Sequence, residues 1–417
     1  RLGFISLIKI RYSWGQSGNA PSGTSPYIGT FEAVTPGYGD MNAVKPASPD
    51  LTHLKYETIT SNNIGVDFGL FSDKVNFTFE LYKKVTDDLL QKKMKVPSST
   101  GLSTVAWYNS GKIQNKGWEF NIDIAAVKTK DWSFNFGFNI SQNKNEILEL
   151  PENKNDELYT FGNKNYAYSV MMGDPLGSFY GYRYKGVYQN VEETYAVNTS
   201  GQRILDIDGN PVVMKNGDQK VYPGDIKYKD MNGDGVIDEN DIVYLGNSNP
   251  TLTGGLNFTL RYKKVSLVAA FHGRAGQKVI NQARMDMENM RGKNNQSVAV
   301  LRRWRSEGDD TDIPRALYDK GYNYLGSDRF VEDASFLRLK TVTLKYQMPA
   351  KWMKAIGVNK LELYATGYDM FVWTKYKGQD PEVNLKAAND GTVAQVAIDS
   401  NNTPKPFKIA FGLNLNF

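Results

Sequence analysis

The stretch Asp230-Met-Asn232-Gly-Asp234-Gly235-Val236-Ile237-Asp238-Glu239-Asn240-Asp241 is the sharpest chemical signal in the chain. Oxygen-bearing side chains at positions one, three and five, glycine at six and an aliphatic residue at eight fit a twelve-residue calcium loop. Asp230, Asn232 and Asp234 are then the first three ligands, the carbonyl of Val236 the fourth, and Asp238 a fifth through water. Asp241 holds the twelfth position, where glutamate is usual. It is one methylene shorter, so bidentate reach and affinity are expected to fall. The donors are many, flexible and all oxygen, which prefers calcium over magnesium. Six acids between residues 225 and 241 repel one another without a cation. No amphipathic helices flank the stretch, so the expected role is to order a loop.

Other candidates are weaker. Trp107, Tyr108, Asn109 and Tyr376 offer flat aromatic faces near amides, which suits stacking on sugar rings and equally suits loop packing. Arg302, Arg303 and Arg305 form a basic cluster that could meet lipopolysaccharide phosphates or a partner lid, although a solvated helical loop is the plainer reading. The chain holds two histidines, His53 and His272, and no cysteine. That excludes a thiolate metal site, a disulfide scaffold and a cysteine nucleophile. No nucleophile with an adjacent base and no phosphate-binding glycine loop stands out, so enzyme activity is not expected. A net charge of +5 over 417 residues gives no ground for a nucleic-acid partner.

The elements that must position these residues alternate with period two. Trp132, Phe134, Phe136, Phe138 and Ile140 fall on one strand face, and Ser133, Asn135, Gly137, Asn139 and Ser141 on the other. The same pattern recurs in about eleven segments, near 4–14, 56–71, 74–88, 117–127, 131–144, 179–190, 252–263, 264–274, 329–347, 360–373 and 407–417. Many are ten residues or longer, enough for a tilted strand to cross a bilayer, which takes about 9–11 residues. Tight connections, such as Lys263-Lys264, largely take turns with long ones near 15–55, 89–116, 145–178, 191–251, 275–328 and 374–406. Tyr12, Trp14, Trp118, Trp132, Tyr262, Phe371 and Trp373 sit near strand ends, where girdles at two membrane interfaces belong. No run approaches 18 apolar residues, which excludes a transmembrane helix bundle. The expected fold is all-β, a transmembrane antiparallel barrel. The competing reading is a soluble, calcium-stabilised carbohydrate-binding β-protein. The chain starts at Arg1 without a signal peptide, and is expected to be a C-terminal or mature piece.

Several segments resemble the C-terminal part of the SusC/RagA family of TonB-dependent outer-membrane transporters. They are Lys9-Ile-Arg-Tyr-Ser-Trp-Gly-Gln-Ser-Gly-Asn19, Asn109-Ser-Gly-Lys-Ile-Gln-Asn-Lys-Gly-Trp-Glu119, Gly177-Ser-Phe-Tyr-Gly-Tyr182, the acidic loop with Leu245-Gly-Asn-Ser-Asn-Pro250, Val331-Glu-Asp-Ala-Ser-Phe-Leu-Arg338 and the terminal strand ending at Phe417. The resemblance implies that residues 1–417 form about half of a 22-stranded barrel, without its plug and N-terminal domains. It also implies TonB-dependent import of glycan oligosaccharides or peptides across the outer membrane. The implied partners are a SusD-like lipoprotein lid, the TonB-ExbB-ExbD complex through a missing N-terminal part, and lipid with lipopolysaccharide; a dimer of transporter–lipoprotein pairs is implied as well. A passive porin without energy coupling is the alternative within the membrane.

Overall fold

A computed structural model describes residues 3–23, 25–35, 39, 41–102, 104–150, 159–160, 166–168, 171–355, 357–387 and 395–417. Ten strands form one sheet in which every neighbour is the next strand along the chain and every pairing is antiparallel. They are β1 (Ile5–Asn19), β2 (Glu57–Leu70), β3 (Val75–Asp87), β4 (Lys112–Lys128), β5 (Trp132–Glu149), β6 (Leu252–Tyr262), β7 (Val265–Ala275), β8 (Phe336–Gln347), β9 (Lys360–Thr374) and β10 (Lys408–Asn416). Their lengths run from 9 to 18 residues. Ten of the eleven expected segments are these strands. The segment near 179–190 is not one of them. It splits into Ser178–Gly181 and Tyr184–Val187, which pair with Val243–Asn247 and Ile226–Tyr228 inside a long connection. Its apolar residues were legible, but Phe179 and Tyr180 are buried in a loop core rather than facing lipid.

Because each strand reverses the last, the connections sort to two ends. Residues 71–74, 129–131, 263–264 and 348–359 join strands at one end, and residues 20–56, 88–111, 150–251, 276–335 and 375–407 at the other. The alternation of short and long is complete.

Register converts the period-two pattern into two faces. One cross-strand row is Phe68, Phe77, Ile122, Phe138, Leu256, Phe271, Leu339 and Phe371. A second is Val75, Ile124, Phe136, Phe258, Ala269, Val342, Gly367 and Ile409. Phe68 and Phe77 stack at 4.7 Å. The opposite face carries Asp67, Thr78, Asn121, Asn139, His272 and Arg338. A one-residue slip would exchange the faces, so burial of either one fixes the register.

Aromatics bracket the apolar face. Trp132 and Tyr262 pack at 4.3 Å at the short-connection end. Tyr12, Trp118, Phe371 and Trp373 lie toward the long-connection end. Trp118 pairs in register with Gln142 on β5, ten residues from Trp132. At about 3.3 Å per residue and a tilt of about 40°, that separation spans about 25 Å, the height of an apolar band across an outer membrane.

The face assignment is testable at neighbouring positions. Phe136→Arg is expected to destabilise the refolded barrel in lipid by about 2–4 kcal/mol, whereas Asn135→Arg on the polar face should cost far less. A refolding titration in which Asn135→Arg costs more than Phe136→Arg would invert the faces.

Candidate functional site

Three long connections fold together at one end of the wall. Tyr188, Ala196, Met214, Val221, Ile226, Tyr228, Ile237 and Leu325 make one buried cluster, drawn from residues 150–251 and 276–335. Phe179, Leu245, Ile280, Met285, Phe330 and Val396 belong to a second, which adds residues 375–407. Ion pairs join the first two of these connections and brace the second internally. The Arg315 guanidinium meets both oxygens of the buried Asp225, at 2.8 and 3.1 Å. Arg284 bridges Glu288 at 3.0 Å and Glu332 at 2.8 Å, and Arg329 reaches Glu288 at 3.1 Å. The result is a packed cap, not a set of separate loops.

The calcium-type stretch lies in this cap. Gly233 and Gly235 adopt left-handed φ of 73° and 85°. Asp230 accepts the N–H groups of Gly233 and Gly235 at 2.6 and 2.8 Å, and Asp234 accepts that of Val236 at 2.8 Å. Asp238 caps the short turn Glu239–Asp241, with Asn240 N–H donating to it at 2.8 Å. Asp241 is fully buried and accepts from Met231 and Asp238 N–H at 2.6 and 2.9 Å. Burial, with Asp230 and Asp238 adding repulsion, holds its carboxyl above the usual range. Among the described residues no three acidic or imidazole side chains already converge as a metal cluster. The donor set still fits a hard cation: every side chain offers an oxygen, and no carboxylate oxygen is given more than one hydrogen bond, so each keeps a lone pair.

The aromatic candidates separate. Trp107 lies on Thr104–Asn109 with the Lys92 ammonium 4.5 Å from its ring centre. Tyr108 donates to Gln91 at 2.7 Å, and Asn109 bonds Lys55 through both backbone groups and Asp88 through its carbonyl. Trp107 and Tyr108 are consecutive on this strand and so point to opposite faces. Tyr376 does not join them: it is 7% exposed, packs with Val279, Ala334 and Ala397, and donates to Asp399 at 2.6 Å. Burial and the Asp399 carboxylate push its phenol well above its ordinary value. In this arrangement its ring serves packing. Of the basic cluster, Arg303 and Arg305 bond the carbonyls of Val300 and Leu301 on the turn Val298–Arg302, and Arg302 is exposed.

A charge lock that the sequence did not disclose joins cap to wall. Arg338 on β8 is 2% exposed. Its Nη2 donates to Asp380 at 2.6 Å and its Nε lies 2.9 Å from Glu382. Lys340 bridges Asp369 and Glu382 at 3.2 and 3.3 Å, and Lys405 reaches Glu382 at 2.6 Å. The β8–β9 register shifts between Leu339 and Thr341, and Asp369 has φ of 50°. Bulges re-aim side chains, and here they place Lys340 between Asp369 and Glu382.

Residues 3–211 match the family described as TonB dependent receptor-like, beta-barrel. The chain belongs to that family. It is 30% identical over 426 residues to TonB-dependent receptor P3 of Formosa agariphila, covering 99% of this chain and 40% of that relative. It is 27% identical over 431 residues to TonB-dependent receptor SusC of Bacteroides thetaiotaomicron, covering 99% and 38%. The solved RagAB peptide transporter superposes with a TM-score of 0.73 at 22% identity, over 99% of this chain and 41% of that one, and shows the shared fold. The chain thus spans about two-fifths of the length of the curated relatives it matches. Membership overturns the soluble carbohydrate-binding reading: the ten strands are wall of an outer-membrane β-barrel. Their apolar face meets lipid, their polar face lines the lumen, and the cap lies outside the cell, where such barrels carry their long loops. The family is one of transporters and receptors rather than enzymes.

Proposed function

We propose that this chain supplies wall strands and outer cap to a TonB-dependent importer of large nutrients, glycan oligosaccharides or peptides. The observation that carries the reading is the co-folded cap above a polar lumen wall. A passive pore needs no packed outer structure of this size, whereas capture before transport does. A SusD-like surface lipoprotein would close over the cap, and TonB-ExbB-ExbD would supply energy through the rest of the protein. Pairs of transporter and lipoprotein would dimerise, and Arg302 with its neighbours would face lipopolysaccharide phosphates. The test is uptake of labelled oligosaccharides and peptides by cells carrying the full-length transporter, with and without TonB. Uptake that persists without TonB would establish the passive pore instead.

The same reading gives residues 230–241 a calcium ion that fixes the cap. Asp230→Ala with Asp234→Ala is expected to remove about one bound calcium per chain and to raise protease cleavage in the cap while the barrel stays folded. Metal analysis of chelator-washed, calcium-reloaded protein checks this, and equal calcium in wild type and variant would retire the site.

A further inference from the structure

We propose that the lipid-facing side of β3–β5 holds a phosphorylated glycolipid of the outer leaflet, its phosphate seated on Lys83, Lys116 and Lys144. The site is separate from Arg302 and its neighbours. It rests on the outer-membrane placement of the wall and not on the import reading. The three lysines stand in one cross-strand row: Lys83 is in register with Lys116, and Lys116 with Lys144. The row belongs to the apolar face. Two residues closer to the short connections, the same strands present Leu81, Trp118 and Gln142, and two further on Phe79, Phe120 and Ile140. Trp118 and Gln142 mark the extracellular edge of the apolar band, so the lysines lie about 5 Å beyond it at the same tilt. That is the depth of the headgroup layer.

This row is unlike the rest of the lipid-facing side. Among the described residues in register on the other seven strands, that side carries no charge. On β3–β5 the charges sort by depth. Lys112, farthest from the membrane, is held by Asp87 at 2.9 Å and Glu149 at 3.0 Å. Glu146 lies 3.6 Å from both Lys116 and Lys144, and all three lysines are exposed. Among the described residues Lys83 makes no hydrogen bond or ion pair. Three lysines less one glutamate leave two positive charges beside the membrane. Like charges directly opposite on neighbouring strands are destabilising, and an anion seated on the row removes that cost. Lysines that only snorkel to an interface have no reason to gather on three adjacent strands.

A recess below the row fits the remainder of the lipid. Its floor is Tyr12, Ile64, Leu81 and Trp118, and the lysine row with Asn62 forms its rim. The Tyr12 hydroxyl donates to Asn62 Oδ1 at 3.2 Å, and Trp118 Nε1 donates to Gln142 Oε1. The floor therefore offers ring faces and aliphatic groups to an acyl chain, while the Asn62 and Gln142 amide nitrogens remain as donors to sugar hydroxyls. Two strand spacings of about 4.8 Å put the outer lysines about 10 Å apart at the backbone, so flexible ammonium groups converge on one phosphate between them. A zwitterionic headgroup brings no net charge to offset the row. Acyl chain, sugar and phosphate together describe lipid A, the membrane anchor of lipopolysaccharide.

The test uses the delipidated full-length transporter in detergent, titrated with lipid A, with dephosphorylated lipid A and with inorganic phosphate, bound lipid being counted by native mass spectrometry. Lys83→Gln with Lys116→Gln and Lys144→Gln is expected to weaken lipid A binding on the order of a hundredfold, since each lysine near a membrane surface contributes about fivefold. Dephosphorylated lipid A should bind wild type as weakly as lipid A binds this variant, and inorganic phosphate should not displace the lipid. Lys9→Gln with Lys84→Gln and Arg261→Gln removes three cations from the lumenal face and should leave the affinity unchanged. Lys83→Gln alone, which breaks no contact within the protein, should still lose about fivefold if the triple variant does not insert. Equal affinity in wild type and the lysine variants, or equal binding of dephosphorylated lipid A, would overturn the site. So would displacement by inorganic phosphate. A disulfide between two copies at Lys116→Cys, with any other cysteine removed, would give the row to a second transporter and overturn it as well.

Discussion

Deleting residues 407–417 is expected to leave no inserted barrel. β10 puts Ile409, Phe411, Leu413 and Leu415 on the lipid face, 45–82% exposed, and covers the far edge of β9 with a nine-residue ladder. Without it the β9 backbone would meet hydrocarbon with its N–H and C=O groups unpaired, each at a cost of several kcal/mol. No side-chain adjustment on β9 offsets a loss of that size. The check is heat-modifiable mobility in outer-membrane fractions of cells making the truncated full-length transporter. A folded, heat-modifiable band at wild-type level would show that the strand is dispensable.

Arg338→Met should have the next largest effect. It leaves the buried Asp380 without a cation and the half-buried Glu382 with Lys340 and Lys405. Removing one partner of a buried ion pair costs about 3–5 kcal/mol, because the other charge stays desolvated. Residues 375–407 would then detach from the wall, and proteolysis should cut there first while the strands remain protected. Adding Asp380→Asn should recover part of the loss, since it removes a charge that no longer has its guanidinium. Unchanged proteolysis in Arg338→Met would mean that apolar packing around Val396 and Ala397 holds the segment unaided.

What the sequence disclosed depends on the range of the interactions involved. The wall was legible because a strand with one face in lipid repeats its chemistry every second residue, as Trp132 to Ser141 do without interruption. The cap was not, because its cores join residues far apart: Phe179 meets Val396, and Ile226 N–H finds Asn323 at 2.8 Å. The alternating apolar residues near 179–190 therefore read as a membrane strand, although packing on both sides places them in a loop core. Tyr376 stayed open between sugar stacking and loop packing for the same reason, its partner Asp399 being 23 residues away. The lock at Arg338 was hidden by two bulges, since a shift between Leu339 and Thr341 breaks the parity that assigns a residue to a face. The acidic stretch was legible as a pattern because its hydrogen bonds are local, nearly all within ten residues.

The complete alternation of short and long connections also bears on how errors arise during assembly. β2–β3, β4–β5, β6–β7 and β8–β9 are hairpins whose alignment is set by connections of 2–12 residues and can form early, since short loops close quickly. The other pairings, such as β5 with β6 across residues 150–251, receive no such guidance from the chain. Misaligned barrels should therefore consist of correct hairpins joined out of step. Proofreading would fall to contacts that cross hairpin boundaries, of which Arg11 on β1, held by Asp67 on β2 and Glu80 on β3, is an example.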